Sequence, residues 1–151
     1  MTAEPSIRRA TLADAAAIAR LSDTLGYPAD AGAIRERLER LLPRADSVVY
    51  AADLPGQGVV GWLHAAEVEL LESGRRCEIP GLVVDPGHRR HGAGRLLVDA
   101  AERWARERGF DEVGVRSNVV RAESHPFYER LGYTKAKTQH AYRKPLGRGG
   151  A

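Results

Sequence analysis

Apolar and polar positions change period several times along the chain, and each change marks an element. Leu96, Leu97, Ala100, Ala101, Trp104 and Ala105 recur at helical spacing and form one stripe. The opposite face pairs Asp99 with Arg103, Glu102 with Arg106 and Arg103 with Glu107 at i, i+4, which supports a helix from Gly92 to Arg108 that Gly109 stops. Upstream the pattern is that of strands: Ser47 to Ala52, Val59 to Leu70 and Arg76 to Val84. The turns between them are Leu54-Pro55-Gly56-Gln57-Gly58 and Ser73-Gly74. Pro80-Gly81 interrupts the last of these strands, removing one ladder donor and one side chain. It reads either as demotion from a central strand or as a bulge.

Nearer the N-terminus, Ile7 to Ala10 is a short first strand. Thr11 with Asp14 is a weak capping box for a helix bearing Leu12, Ala15, Ala16, Ala19 and Leu25, broken at Gly26-Tyr27-Pro28. Asp30 caps a second helix with Ile34, Leu38, Leu41 and Leu42 on one face, ended by Pro43. Towards the C-terminus come a fifth strand, Glu112 to Arg116, a short helix around Glu123 to Leu131, and strands within Tyr133 to Pro145. Strand, helix and strand over 76–116 imply a right-handed crossover and a parallel pair.

Composition narrows the class. A chain of 151 residues with 43% hydrophobic and 28% charged residues fits one globular domain, expected over 1–146 with a tail at 147–151. The net charge of +3 comes from interleaved signs, so no nucleic-acid partner is expected. Cys77 is the single cysteine, which excludes an internal disulfide and suits a reducing, cytoplasmic compartment. Neither a signal pattern nor a membrane-length apolar run is present, so no membrane partner is expected. The histidines lack metal-ligand spacing, and no metal is expected.

Between the fourth strand and the long helix stands Val84-Asp85-Pro86-Gly87-His88-Arg89-Arg90-His91-Gly92-Ala93-Gly94. A helix start offers unpaired N–H groups and a positive dipole end. Gly92 and Gly94 let phosphates approach closely, and Arg89, Arg90 and Arg95 add charge. The P-loop Gly-Lys-Ser/Thr is absent, and Leu97 stands where a dinucleotide fingerprint needs its third glycine. A solvated Arg/His turn capped by glycines is the competing view.

Arg89-x-x-Gly92-x-Gly94 resembles the acetyl-coenzyme A signature of the GNAT superfamily of N-acetyltransferases. Phe127-Tyr128-Glu129-Arg130-Leu131-Gly132-Tyr133 resembles that family's second element, and the element order matches across nearly the whole chain. The resemblance implies an α+β GNAT (acyl-CoA N-acyltransferase) fold: a mixed central sheet flanked by helices, its fourth and fifth strands parallel and splayed by a bulge. It implies acetyl-CoA as cosubstrate, with pantetheine along the backbone of Leu82, Val83 and Val84. Arg89, Arg90, His91, Gly92, Ala93, Gly94 and Arg95 would hold the pyrophosphate, and Asn118 would bond the pantetheine arm. For Asn118 a turn-forming role competes.

Such an enzyme transfers acetyl to a primary amine by direct attack in a ternary complex, and needs a base and an acid. Glu78, on the fourth strand, is the candidate base, acting directly or through a water. The competing reading is a strand-surface residue paired with Arg75 or Arg76. Tyr128 stands where the family places a general acid towards the leaving thiolate; a core aromatic with a satisfied hydroxyl is the alternative. Cys77 should face away from Glu78 and has no partner to activate it. His88 and His91 either touch phosphate or are solvated. Glu67, Glu69 and Glu72 either attract a cationic acceptor or form a solvated edge. The acceptor, a small-molecule or peptide amine, cannot be read, and a homodimer is expected only by analogy. A non-catalytic acyl-CoA sensor on the same fold is the rival function.

Overall fold

The computed structural model describes residues 4–24, 26, 28–116 and 124–147, with the side chains of Arg89, Arg90, Ser124 and His125 outside that description. Its contacts divide the chain into two units, Met1–Arg116 and Ser117–Ala151.

The first unit is a five-stranded sheet ordered β1 (Ser6–Arg9), β2 (Ser47–Leu54), β3 (Gly58–Leu70), β4 (Gly74–Val84) and β5 (Val113–Val115). Neighbours are antiparallel from β1 to β4, and β4 and β5 are parallel, as the crossover requires. The helices are α1 (Ala15–Asp23), α2 (Ala31–Leu41) and α3 (Ala93–Glu107). Asp30 caps α2 as expected, its Oδ1 accepting from Ala33 N–H at 2.8 Å, whereas the Thr11–Asp14 box starts a short 3-10 turn, Leu12–Asp14, that leads into α1, with Asp14 Oδ2 accepting from Thr11 N–H at 2.8 Å. Asp14 is also gripped by Arg8 at 2.8 and 2.9 Å. Hydrogen bonding to that guanidinium, with help from Thr11, holds its carboxyl below the usual carboxylate range.

Alternation along β3 sends successive side chains to opposite faces. Gly61 lies under α3, where a Cβ would stand 3.2 Å from Leu97 Cδ1. Trp62 packs instead on the cluster that α1 and α2 build with Val49, Ala51 and Val83. Helices therefore cover both faces. The α3 face buries Leu63, Ile79, Leu97 and Val98 almost completely. Gly109 (φ +87°) closes α3 with Gly109 N–H on Arg106 C=O and Phe110 N–H on Ala105 C=O, each at 3.0 Å, a Schellman ending. Arg108 then donates to Glu67 on β3 at 3.0 Å, and Arg75 joins the same oxygen at 2.7 Å.

The second unit contains α4 (Ser124–Arg130), again closed by a Schellman ending at Gly132 (φ +92°), with Tyr133 N–H on Tyr128 C=O at 3.0 Å. The strands expected within Tyr133 to Pro145 do not form: residues 133–147 belong to no helix or strand, and 134–147 are exposed. The physical reason is in the residues. Ala136, Thr138 and His140 alternate with Lys135, Lys137 and Gln139, so neither face is apolar enough to bury. No helix among the described residues is long and apolar enough to cross a membrane.

Candidate active site

The bulge expected at Pro80-Gly81 is present. His64 pairs with Gly81 and Ala66 with Glu78, so two steps on β3 oppose three on β4. β5 follows β4 only through Cys77–Val113, Glu78–Gly114 and Ile79–Val115, whereas β4 runs on to Val84. From Pro80 to Val84, the backbone groups of β4 turned towards the β5 side have no strand partner among the described residues. Leu82, Val83 and Val84 lie on that stretch, the place assigned to the pantetheine arm.

Glu78 stands on the middle of the three paired rungs, one before the strands part. Its carboxylate lies over Gly114, where a Cβ would be 2.5 Å from Oε2. Only a residue without a side chain leaves that space. The side chain is 15% exposed, and Arg76 Nε is 3.7 Å from Oε1, a looser pair than the hydrogen-bonded Arg75–Glu67 contact. The strand-surface reading thus has its arginine, but the carboxylate is aimed across β5 rather than into solvent. Cys77 faces the other way and is 2% exposed. Burial, with the nearby Glu78 charge, pushes its thiol up to about 11, which removes it as a nucleophile near neutral pH.

The basic stretch is more ordered than a loop. Pro86–His91 is a six-residue 3-10 turn whose cap is Asp85, with Oδ1 accepting from Gly87 N–H at 2.9 Å. Asp85 followed by proline is a helix-start signature that was there to be read. His88 belongs to this turn: Nδ1 is 3.5 Å from Asp85 Oδ2. His91 stacks loosely on it, ring centres 5.7 Å apart. Gly92 (φ +76°) is the left-handed joint between this turn and α3. The first α3 bond runs from Leu96 N–H to Gly92 C=O at 3.0 Å, so the N–H groups of Ala93, Gly94 and Arg95 precede the ladder. Three such donors at the positive end of a 15-residue helix fit a pyrophosphate. The backbone of Arg89 and Arg90 lies in the turn. Asn118 lies outside the described residues.

Tyr128, in the second unit, is half-buried in an aromatic trio: its ring centre is 5.1 Å from Phe127 and 6.0 Å from Tyr133, both edge-on. Glu67 is not free to attract an acceptor, since it serves Arg75 and Arg108 on the α3 face, and Arg108 first holds its carboxyl below the usual range. Two features escaped the sequence reading. Gly114 carried a signal, a glycine inside a strand. The hydrogen bond between Ser47 Oγ and His64 Nε2 at 2.9 Å carried none, because it depends on the register of two strands.

Residues 16–133 match the acetyltransferase (GNAT) family. The aminoglycoside N(6')-acetyltransferase type 1 of Stenotrophomonas maltophilia is 33% identical over 149 residues, covering 94% of each chain. A crystal structure of an aminoglycoside 6'-N-acetyltransferase from Acinetobacter haemolyticus superposes with a TM-score of 0.79 at 20% identity, covering 93% of this chain and 99% of the other. Another aminoglycoside acetyltransferase, solved with a coenzyme A–acetylneamine bisubstrate analogue, reaches a TM-score of 0.80 at 20% identity, covering 95% and 99%.

Proposed function

Because the chain belongs to the acetyltransferase (GNAT) family, we propose that it moves acetyl from acetyl-CoA to a primary amine of an aminoglycoside-like acceptor, by direct attack in a ternary complex. The family match spans both units and supports one domain over 1–146. A lone buried cysteine suits the cytoplasm. The observation that carries the reading is the Glu78 carboxylate lying over Gly114, one rung before β4 and β5 stop pairing.

Acetyl-CoA supplies an already activated thioester, so no covalent enzyme intermediate is needed. The chain's part is to hold and to move protons. The Ala93, Gly94 and Arg95 amides grip the pyrophosphate with the Arg89 and Arg90 charges, and His91 and Gly92 shape that turn. The backbone edge of Leu82, Val83 and Val84 takes the pantetheine amides, and Asn118 bonds the same arm. Glu78 takes the proton from the ammonium, directly or through a water, and Tyr128 gives one to the departing thiolate.

Thiol release measured across aminoglycosides, polyamines, amino-acid amides and peptides tests the proposal. Steady release with an aminoglycoside supports it; tight coenzyme A binding without release for any amine overturns it in favour of a sensor. Tyr128→Phe should lower turnover by about tenfold to a hundredfold, at or below the usual range for a general acid, since a thiolate of ordinary pKa leaves with modest help. Unchanged turnover in the folded variant removes the acid role. Gly114→Ala should displace the Glu78 carboxylate and cost roughly tenfold to a hundredfold in kcat, with coenzyme A affinity kept. Wild-type kcat in that variant would mean the carboxylate's placement is immaterial.

A further inference from the structure

The face of the sheet that carries Glu78 also carries a donor without a use. By register, Trp62, His64 and Ala66 on β3 share one face with Glu78 and Gly81 on β4, the bulge restoring the phase between them. Trp62 Nε1 is buried there with no hydrogen-bond partner among the described residues. Buried polar groups are paired in the great majority of cases, so an unpaired indole N–H calls for an explanation. The ring is seated deliberately: its outer edge lies on Gly81, where a Cβ would stand 2.8 Å from both Cη2 and Cζ3. The glycine in the bulge makes room for the indole. His64, next on the same face, is fixed by Ser47 at 2.9 Å, and burial lowers its pKa, so it stands there as a neutral imidazole. Glu78 and Gly81 stand three residues apart on that face of β4, about 10 Å of strand at most.

We propose that Trp62 is a specificity-determining residue whose indole N–H bonds a hydroxyl oxygen on the amine-bearing ring of the acceptor while Glu78 meets the amine. This rests on the transferase reading above and adds the part of the acceptor that is recognised. A hydroxylated acceptor satisfies the buried donor; its deoxy counterpart leaves it unpaired, and that difference is the source of discrimination.

The test compares kanamycin B with its dideoxy form, dibekacin, on the full chain saturated with coenzyme A. Calorimetry should show the wild type preferring kanamycin B by about three- to tenfold, the worth of one neutral hydrogen bond. In Trp62→Phe, which keeps the ring and loses the donor, that ratio should fall to about one. An equal ratio in both proteins overturns the proposal. If Trp62→Phe does not fold, the wild-type indole N–H resonances decide. The chain has two tryptophans, so Trp104→Phe assigns them. Kanamycin B should shift the Trp62 signal and protect it from exchange where dibekacin does not; identical responses overturn the proposal. Thiol release followed on the same pairs separates the two claims. Discrimination without release sinks the transferase reading and leaves the contact standing, while release without discrimination does the reverse.

Discussion

Glu78→Gln lowers the rate of acetyl transfer by about a thousandfold at neutral pH, within the usual range for losing a positioned base, while coenzyme A binds as before. An amine arrives protonated and cannot attack until that proton is taken. Glutamine keeps the shape and the hydrogen-bonding reach of glutamate but cannot accept the proton. The cofactor's proposed contacts lie elsewhere, on the β4 backbone beyond Pro80 and at the start of α3, so its affinity provides an internal control. Pre-steady-state thiol release separates chemistry from product release. A variant that turns over like the wild type would return Glu78 to the strand-surface role, with Arg76 at 3.7 Å as its partner.

Leu97→Ala destabilises the fold by about 2–5 kcal/mol, the range for truncating a leucine that cannot be replaced by collapse around it. Leu97 is fully buried, with Val98 and Ala101 beside it at 1% and 0% exposure. It sits where α3 lies on β3, over a glycine that has no side chain to fill the space it would leave. Denaturant titration should show a lower midpoint with an unchanged slope. A loss under about 1 kcal/mol would mean that α3 resettles onto the sheet.

The parts of this fold that were legible in the sequence are those set by local chemistry. Asp30 caps the helix it was expected to cap, Thr11 and Asp14 form their box ahead of a short 3-10 turn before α1, Gly109 ends α3, and Pro80-Gly81 marks the bulge. The stretch after β4 was legible but misread: Asp85-Pro86 starts a 3-10 turn, which gives the basic residues a frame. The strands expected in 133–145 were overread from extended-looking residues that lack an apolar face. The site itself was half visible. The glycines of the α3 start could be named as candidates from a motif, and Glu78 from its place on the fourth strand of the resembled fold. That Gly114 makes room for the carboxylate, that Ser47 reaches His64 and that Trp62 rests on Gly81 all depend on which rungs of neighbouring strands face each other. A bulge shifts that register by one, and no single segment records it.

The tether at the far end of α3 gives the proposed phosphate grip its steadiness. A 15-residue rod is about 22 Å long, and a small tilt about one end sweeps the other through a proportionate arc. Leu97 braces the rod over Gly61, and Arg108 moors its C-terminal end to Glu67. The direction in which the leading amides point is therefore decided by side chains that never meet a ligand.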